Sequence, residues 1–283
     1  MDSFTVLKRL KLPPNTVKID TNLFADKTEI ANIDYREYLF WLKKIYGYKS
    51  HRYQAALPDT LVWEYNEYEP FYLTYFVHPA YDMCPLVGVS YEQAVGYSDW
   101  RTNVVYELLL IKKKKIKAYP QDSTNFFSVE RYLSGQYNGV TPDKTIPIPR
   151  FRLPTETEWI KLSGGEFKKP ELGYYGVSIP KKYRKKGYKI AYWGVFDTKE
   201  FRDMLVGSNS IPNPVRVLFK NKWGIYNTIG NVAEMTATKG LAKGGSYQHS
   251  LQDCGIDKQI LYTIPNCWLG FRNVCSWEFP KID

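Results

Sequence analysis

The sequence predicts an α+β fold in which short strands and long irregular loops surround two main helices. Three observations predict it. Two segments carry helical spacing behind recognisable caps, one stretch alternates apolar and polar residues as a half-buried strand does, and the remainder is rich in glycine, proline and tyrosine with neither period. The chain has 283 residues of which 44% are hydrophobic, enough for one proper core. We read residues 1–16 as an N-terminal extension and 17–283 as a single domain, with basic insertions at about 110–149 and 166–220.

The alternation Val-Lys-Ile-Asp-Thr-Asn-Leu-Phe over 17–24 predicts a strand. From Asn32 to Tyr46, Ile33, Tyr35, Tyr38, Leu39, Trp41, Leu42 and Ile45 recur mostly three and four residues apart, which predicts an amphipathic helix capped by Asn32 or Asp34. Residues 57–81 are aromatic and broken by prolines, so they read as loop with short extended pieces, His78 to Tyr81 being a packed aromatic turn. Ser90, with Gln93 three positions on, forms a capping box that opens a second helix through Ala94, Tyr97 and Trp100, and Val104, Leu108 and Leu109 extend it into the lysine run. Leu153-Pro154 forces extended backbone, Thr155 and Glu158 make another capping box, and Ser163-Gly164-Gly165 ends that short helix.

No run of about 18 apolar residues occurs, so no membrane span is expected. The formal charge of +10 raises the question of an anionic partner. Lysine carries most of it, in the runs 112–115 and 181–186 of the least patterned stretches, and base readout also needs placed Arg, Asn or aromatic groups, so solvated segments rather than nucleic-acid binding are expected. Cys84, Cys254, Cys267 and Cys275 form no CxxC pair and have no histidines at zinc spacing, so a structural zinc is not expected; their pairing into disulfides stays open. The first ten residues lack an apolar h-region and a small-residue cleavage site. The expected location is the cell envelope or periplasm where a leader has been removed, and the cytoplasm where Met1 is the native start.

Periodicity disappears again in Gly224-Ile-Tyr-Asn-Thr-Ile-Gly-Asn-Val-Ala-Glu234, which is followed by Gly244-Gly-Ser-Tyr247 and Gly270-Phe-Arg272. Together with Pro85-Leu-Val-Gly-Val-Ser-Tyr-Glu-Gln-Ala94, Trp100, Arg152-Leu-Pro-Thr-Glu-Thr-Glu-Trp159 and Tyr192-Trp-Gly194, these motifs resemble the formylglycine-generating enzyme (sulfatase-modifying factor) family, in its order and over most of the chain. Within it, Asp26 to Tyr38, Leu57-Pro-Asp-Thr60 with Trp63, and His78-Pro-Ala-Tyr81 look most like the gliding-motility lipoproteins of type IX secretion. The resemblance implies a C-type-lectin-like fold, a structural calcium ion, and an oxidase activity that converts a substrate cysteine to formylglycine with copper and two enzyme cysteines.

Calcium asks for six to eight oxygen ligands. The family's calcium loop maps onto Asn227 and Glu234 through their side chains and Gly230 and Val232 through their carbonyls. The alternative is a glycine-rich turn in which Asn227, Asn231 and Glu234 satisfy backbone amides. Counting from Ser246, the family's two copper-binding cysteines fall on His249 and Cys254, so one thiolate is an imidazole here and copper is not expected. His249 and Cys254 would either form a residual metal or nucleophilic pair, or be a hydrogen-bonding histidine beside a small buried hydrophobe. Arg152, Glu158 and Arg272 read as bracing ion pairs and caps, and three histidines in the chain are too few for the family's iron-dependent sulfoxide-forming branch.

The expected function is thus a non-catalytic scaffold of the sulfatase-modifying-factor type that binds a protein partner through its long loops, in a bacterial envelope, gliding or secretion assembly. An oxidase or other metal-dependent enzyme using His249 and Cys254 is the first alternative. A lectin-fold variable protein that diversifies residues 247–269 is the second.

Overall fold

A computed structural model describes residues 11–64, 71–164, 211–216, 220–249 and 251–280. Most of the basic segment 166–220 therefore lies outside the described residues. The alternating stretch at 17–24 is a hairpin and not one strand: β1 (Thr16–Asp20) turns through Thr21 and Asn22 into β2 (Leu23–Asp26). Asp20 accepts from the Thr21 amide and so stabilises the turn. Antiparallel pairing with β8 (Val274–Glu278) and β3 (Ile148–Arg152) completes a sheet in the order β1-β2-β8-β3. The second sheet joins the short strands β4 (Ala233–Met235), β5 (Leu241–Lys243), β6 (Ile260–Leu261) and β7 (Leu269–Gly270) in the order β6-β5-β4-β7, with β4 and β7 parallel.

Helix α1 (Asn32–Tyr46) has the predicted bounds but a different cap: Ala31 is the N-cap, and Asp34 at N3 accepts from its amide at 3.0 Å. Asn32 is instead buried and donates to the carbonyls of Tyr75 and Tyr81. A short α2 (His51–Ala56) follows. Residues 57–81 were expected to be loop with extended pieces, and the described part is helical: 3-10 turns at Thr60–Trp63 and Pro79–Tyr81 flank α3 (Phe71–Thr74). Local side-chain acceptors explain it. Asp59 caps the first turn through the Leu61 amide and His78 caps the second through the Ala80 amide.

Helix α4 (Tyr91–Lys112) opens on the predicted capping box, with Ser90 accepting from the Gln93 amide and Gln93 accepting from the Ser90 amide. A cap of this kind contributes about 1 kcal/mol. The Gln93 amide nitrogen also donates to the carbonyls of Ala55 and Leu57, so the box fastens the end of α2 as well. Helices α1 and α4 meet through rings: Tyr35 stacks on Tyr97 at 5.6 Å, Tyr38 stands edge-on to both, and Phe271 closes the cluster from the strand side. Each such buried ring stabilises the core by about 1.5–3 kcal/mol.

Beyond α4, lysines 112–115 are exposed, while Tyr106, Phe127, Tyr132, Tyr137 and Ile146 enclose a core of their own around α5 (Val129–Leu133). Helix α6 (Glu156–Ser163) starts on the Thr155–Glu158 capping box and stops at Gly164, as its sequence predicts. Its inner face buries Trp159 and Leu162 under the glycine-rich loop at 224–234, which positions the site.

Candidate functional site

The centre of the site is a buried ion network. Arg272, fully enclosed after β7, donates to Glu234 of β4 from Nε to Oε2 at 2.6 Å and from Nη2 to Oε1 at 2.5 Å. Trp159 Nε1 of α6 donates to the same Oε2 at 2.8 Å. The guanidinium also donates to the carbonyls of Asp26 and Tyr226, so one residue ties the first sheet, the glycine loop and the second sheet together. Such a bidentate pair holds its plane and its orientation. It also costs desolvation of both charges, so removing either partner is severe.

A second carboxylate, Glu29, is equally buried but reaches the same cation only at long range: Arg272 Nη2 is 4.0 Å away. Two asparagines in left-handed backbone, Asn227 (φ 50°) and Asn231 (φ 61°), reach it through their amide nitrogens at 3.2 and 2.8 Å. The same nitrogens donate to the carbonyls of Val215 and Asn213. Burial pushes the Glu29 carboxyl up to about 8; Arg272 opposes that shift and Glu234 adds to it. Asn227 Oδ1 is buried with no hydrogen-bond donor among the described residues.

The neighbouring thiol half is closed. Cys254 is 2% exposed and its sulfur lies against Gly245, where an added Cβ would stand 2.1 Å from Sγ. Gly245 also has φ 68°, so glycine is required there twice over. Burial raises the Cys254 thiol to about 12, Asp253 adding to the effect and the amides of Ser246 and Gly230 opposing it. At neutral pH this is a thiol and not a thiolate. His249 is half-buried, its Nδ1 held 2.6 Å from Ser246 Oγ and its ring edge-on to Trp268 at 4.9 Å. Burial also lowers its pKa, so the imidazole is neutral near pH 7.

The expected calcium ligands thus have distinct partners. Asn227 faces Glu29, whereas both oxygens of Glu234 are taken by Arg272 and Trp159. Toward calcium the donors divide: the unpartnered Asn227 Oδ1 fits a cation-facing amide, and Glu234 does not fit, because it already has its counter-charge. Among the described residues no three His, Cys, Asp or Glu side chains gather as a metal cluster. Ser246 and His249 are brought together. Arg152 and Glu158 form the anticipated bracing pair, bidentate at 2.7 Å. The four cysteines are free thiols.

Sequence reasoning missed Glu29 and the indole donor of Trp159. One signal for Glu29 was present: it is a single carboxylate followed by Ile30 and Ala31 just ahead of α1, where neighbouring side chains are buried. Lys243 was missed as well. It is fully buried, 5.9 Å from the Trp159 ring centre, and pairs with Glu156.

The described residues thus form a two-sheet α+β domain whose glycine loop is locked by a buried arginine–glutamate pair, beside an enclosed thiol. The family model "Sulfatase-modifying factor enzyme 1-like domain" matches residues 2–276, and the chain belongs to that family. Similar solved structures include Treponema denticola variable protein 1 (17% identity, 94% of this chain and 92% of that one, TM-score 0.43). They also include CarF (18% identity, 92% and 87%, TM-score 0.46) and PvdO from Pseudomonas aeruginosa (15% identity, 69% and 63%, TM-score 0.38). No curated protein matches the chain.

Proposed function

We propose that the protein is a non-catalytic member of its family, a rigid scaffold that binds another protein. The observation that carries this reading is Cys254: a buried, protonated thiol covered by Gly245, with a histidine where a second thiolate would be needed to hold a soft metal. A partner protein is the fitting ligand for a chain whose long loops stand on two braced sheets. An assembly of the bacterial envelope, of the gliding or secretion kind, is supported by the motifs at 26–38, 57–63 and 78–81.

The test is to load the protein with Cu(I) and incubate it with a peptide carrying Cys-x-Pro-x-Arg. The peptide cysteine is expected to remain a thiol in the mass spectrum. Its conversion to an aldehyde sinks the scaffold reading in favour of the oxidase.

A calcium ion in the glycine loop belongs to the same proposal, held by Asn227 Oδ1 with the carbonyls of Gly230 and Val232. There it would cross-link the loop electrostatically. Calcium is expected to raise the melting temperature and EDTA to lower it, with Asn227→Gly, which keeps the left-handed backbone, abolishing the response. A melting temperature indifferent to both reagents rejects the ion.

A further inference from the structure

Away from the glycine loop, Val105, Leu108, Leu109 and Lys112 share one face of α4 at three- and four-residue spacing. With Leu12 and Trp277 they wall a cleft of about 450 Å³, large enough for a small ligand. Leu12 is 56% exposed and Leu108 59%, so this apolar wall faces solvent. Its rim carries Lys11, Lys112 and Lys113. None of the three lysines has an ion pair among the described residues, and no described side chain lining the cleft is acidic. Beneath the wall, the Trp277 indole N–H is buried with no acceptor among the described residues. The charged side chains of the lining are all cationic, and the wall between them is mostly hydrocarbon.

We propose that this cleft binds a single-chain amphiphile with an anionic head, a fatty-acid carboxylate, its chain along Leu108 and Leu109 and its head among the lysines. The two halves of the argument are independent: exposed apolar wall asks for hydrocarbon, and unpaired cations at its rim ask for negative charge.

The experiment is calorimetric titration of the full chain with monomeric dodecanoate, with dodecyltrimethylammonium as the cationic counterpart. Saturable one-to-one binding of dodecanoate is expected. It should weaken about ten-fold in the Lys112→Ala/Lys113→Ala double variant, and be lost in Leu108→Glu, whose exposed position leaves folding intact. The proposal is overturned by no saturable binding, by equal binding of the cationic amphiphile, or by variants that bind as the unaltered chain does. Sedimentation with anionic vesicles but no uptake of monomeric dodecanoate would also overturn it, by making the cleft a membrane-docking face.

Discussion

Replacing Arg272 with methionine is expected to destabilise the fold by about 3–5 kcal/mol, the usual loss when one partner of a buried ion pair is removed. The volume is roughly kept, so the cost comes from charge. Glu234 would retain one donor, the Trp159 indole, where it now has three hydrogen bonds. Glu29 would lose the cation that now lowers its pKa. The carbonyls of Asp26 and Tyr226 would lose donors in the same step. Urea unfolding followed by tryptophan fluorescence measures the change. Adding Glu234→Leu to Arg272→Met should recover part of the loss, since an apolar pair in place of a buried ion pair is often neutral. The double-mutant cycle isolates the coupling. A loss under about 1 kcal/mol for Arg272→Met would place the pair among ordinary surface bridges and remove the bracing role argued for it.

This centre also shows where sequence could and could not lead. The helices were legible because their signals are local: three capping boxes or N3 carboxylates, one glycine stop, and rings at helical spacing. Asp34 was misread as a cap by three positions because an N3 carboxylate and an N-cap acid look alike until the backbone is placed. The 57–81 stretch was misread because short 3-10 turns have no period to find, only single capping groups such as Asp59 and His78. In the glycine loop, motif spacing singled out Asn227 and Glu234. Which partner each would face depended on Arg272 and Glu29, 38 residues after Glu234 and 198 before Asn227. Local pattern carries no information on such pairings. The enclosure of Cys254 was likewise out of reach, since it rests on Gly245 folding over the sulfur.

The unequal treatment of the two buried carboxylates leads to a pH dependence. Glu234 takes the guanidinium, and Glu29 is left with amide donors and a pKa of about 8. An ordinary, unfolded glutamate titrates near 4.5. Between those values the folded chain holds a proton that the unfolded chain has released, so stability falls as pH rises through the window and the full penalty is reached above about 8. The protonated carboxyl is uncharged and can itself donate. Glu29→Gln mimics this neutral donor at every pH. Its stability relative to the unaltered chain is therefore expected to climb from pH 4.5 to 8, most steeply in the middle of that window and levelling off above about 8, when both are unfolded in EDTA-containing buffers and only the difference is plotted. Other titrating groups cancel in that difference. A difference that stays flat across the window would mean that Glu29 is ionised throughout in the folded chain, with Arg272 shared between two carboxylates.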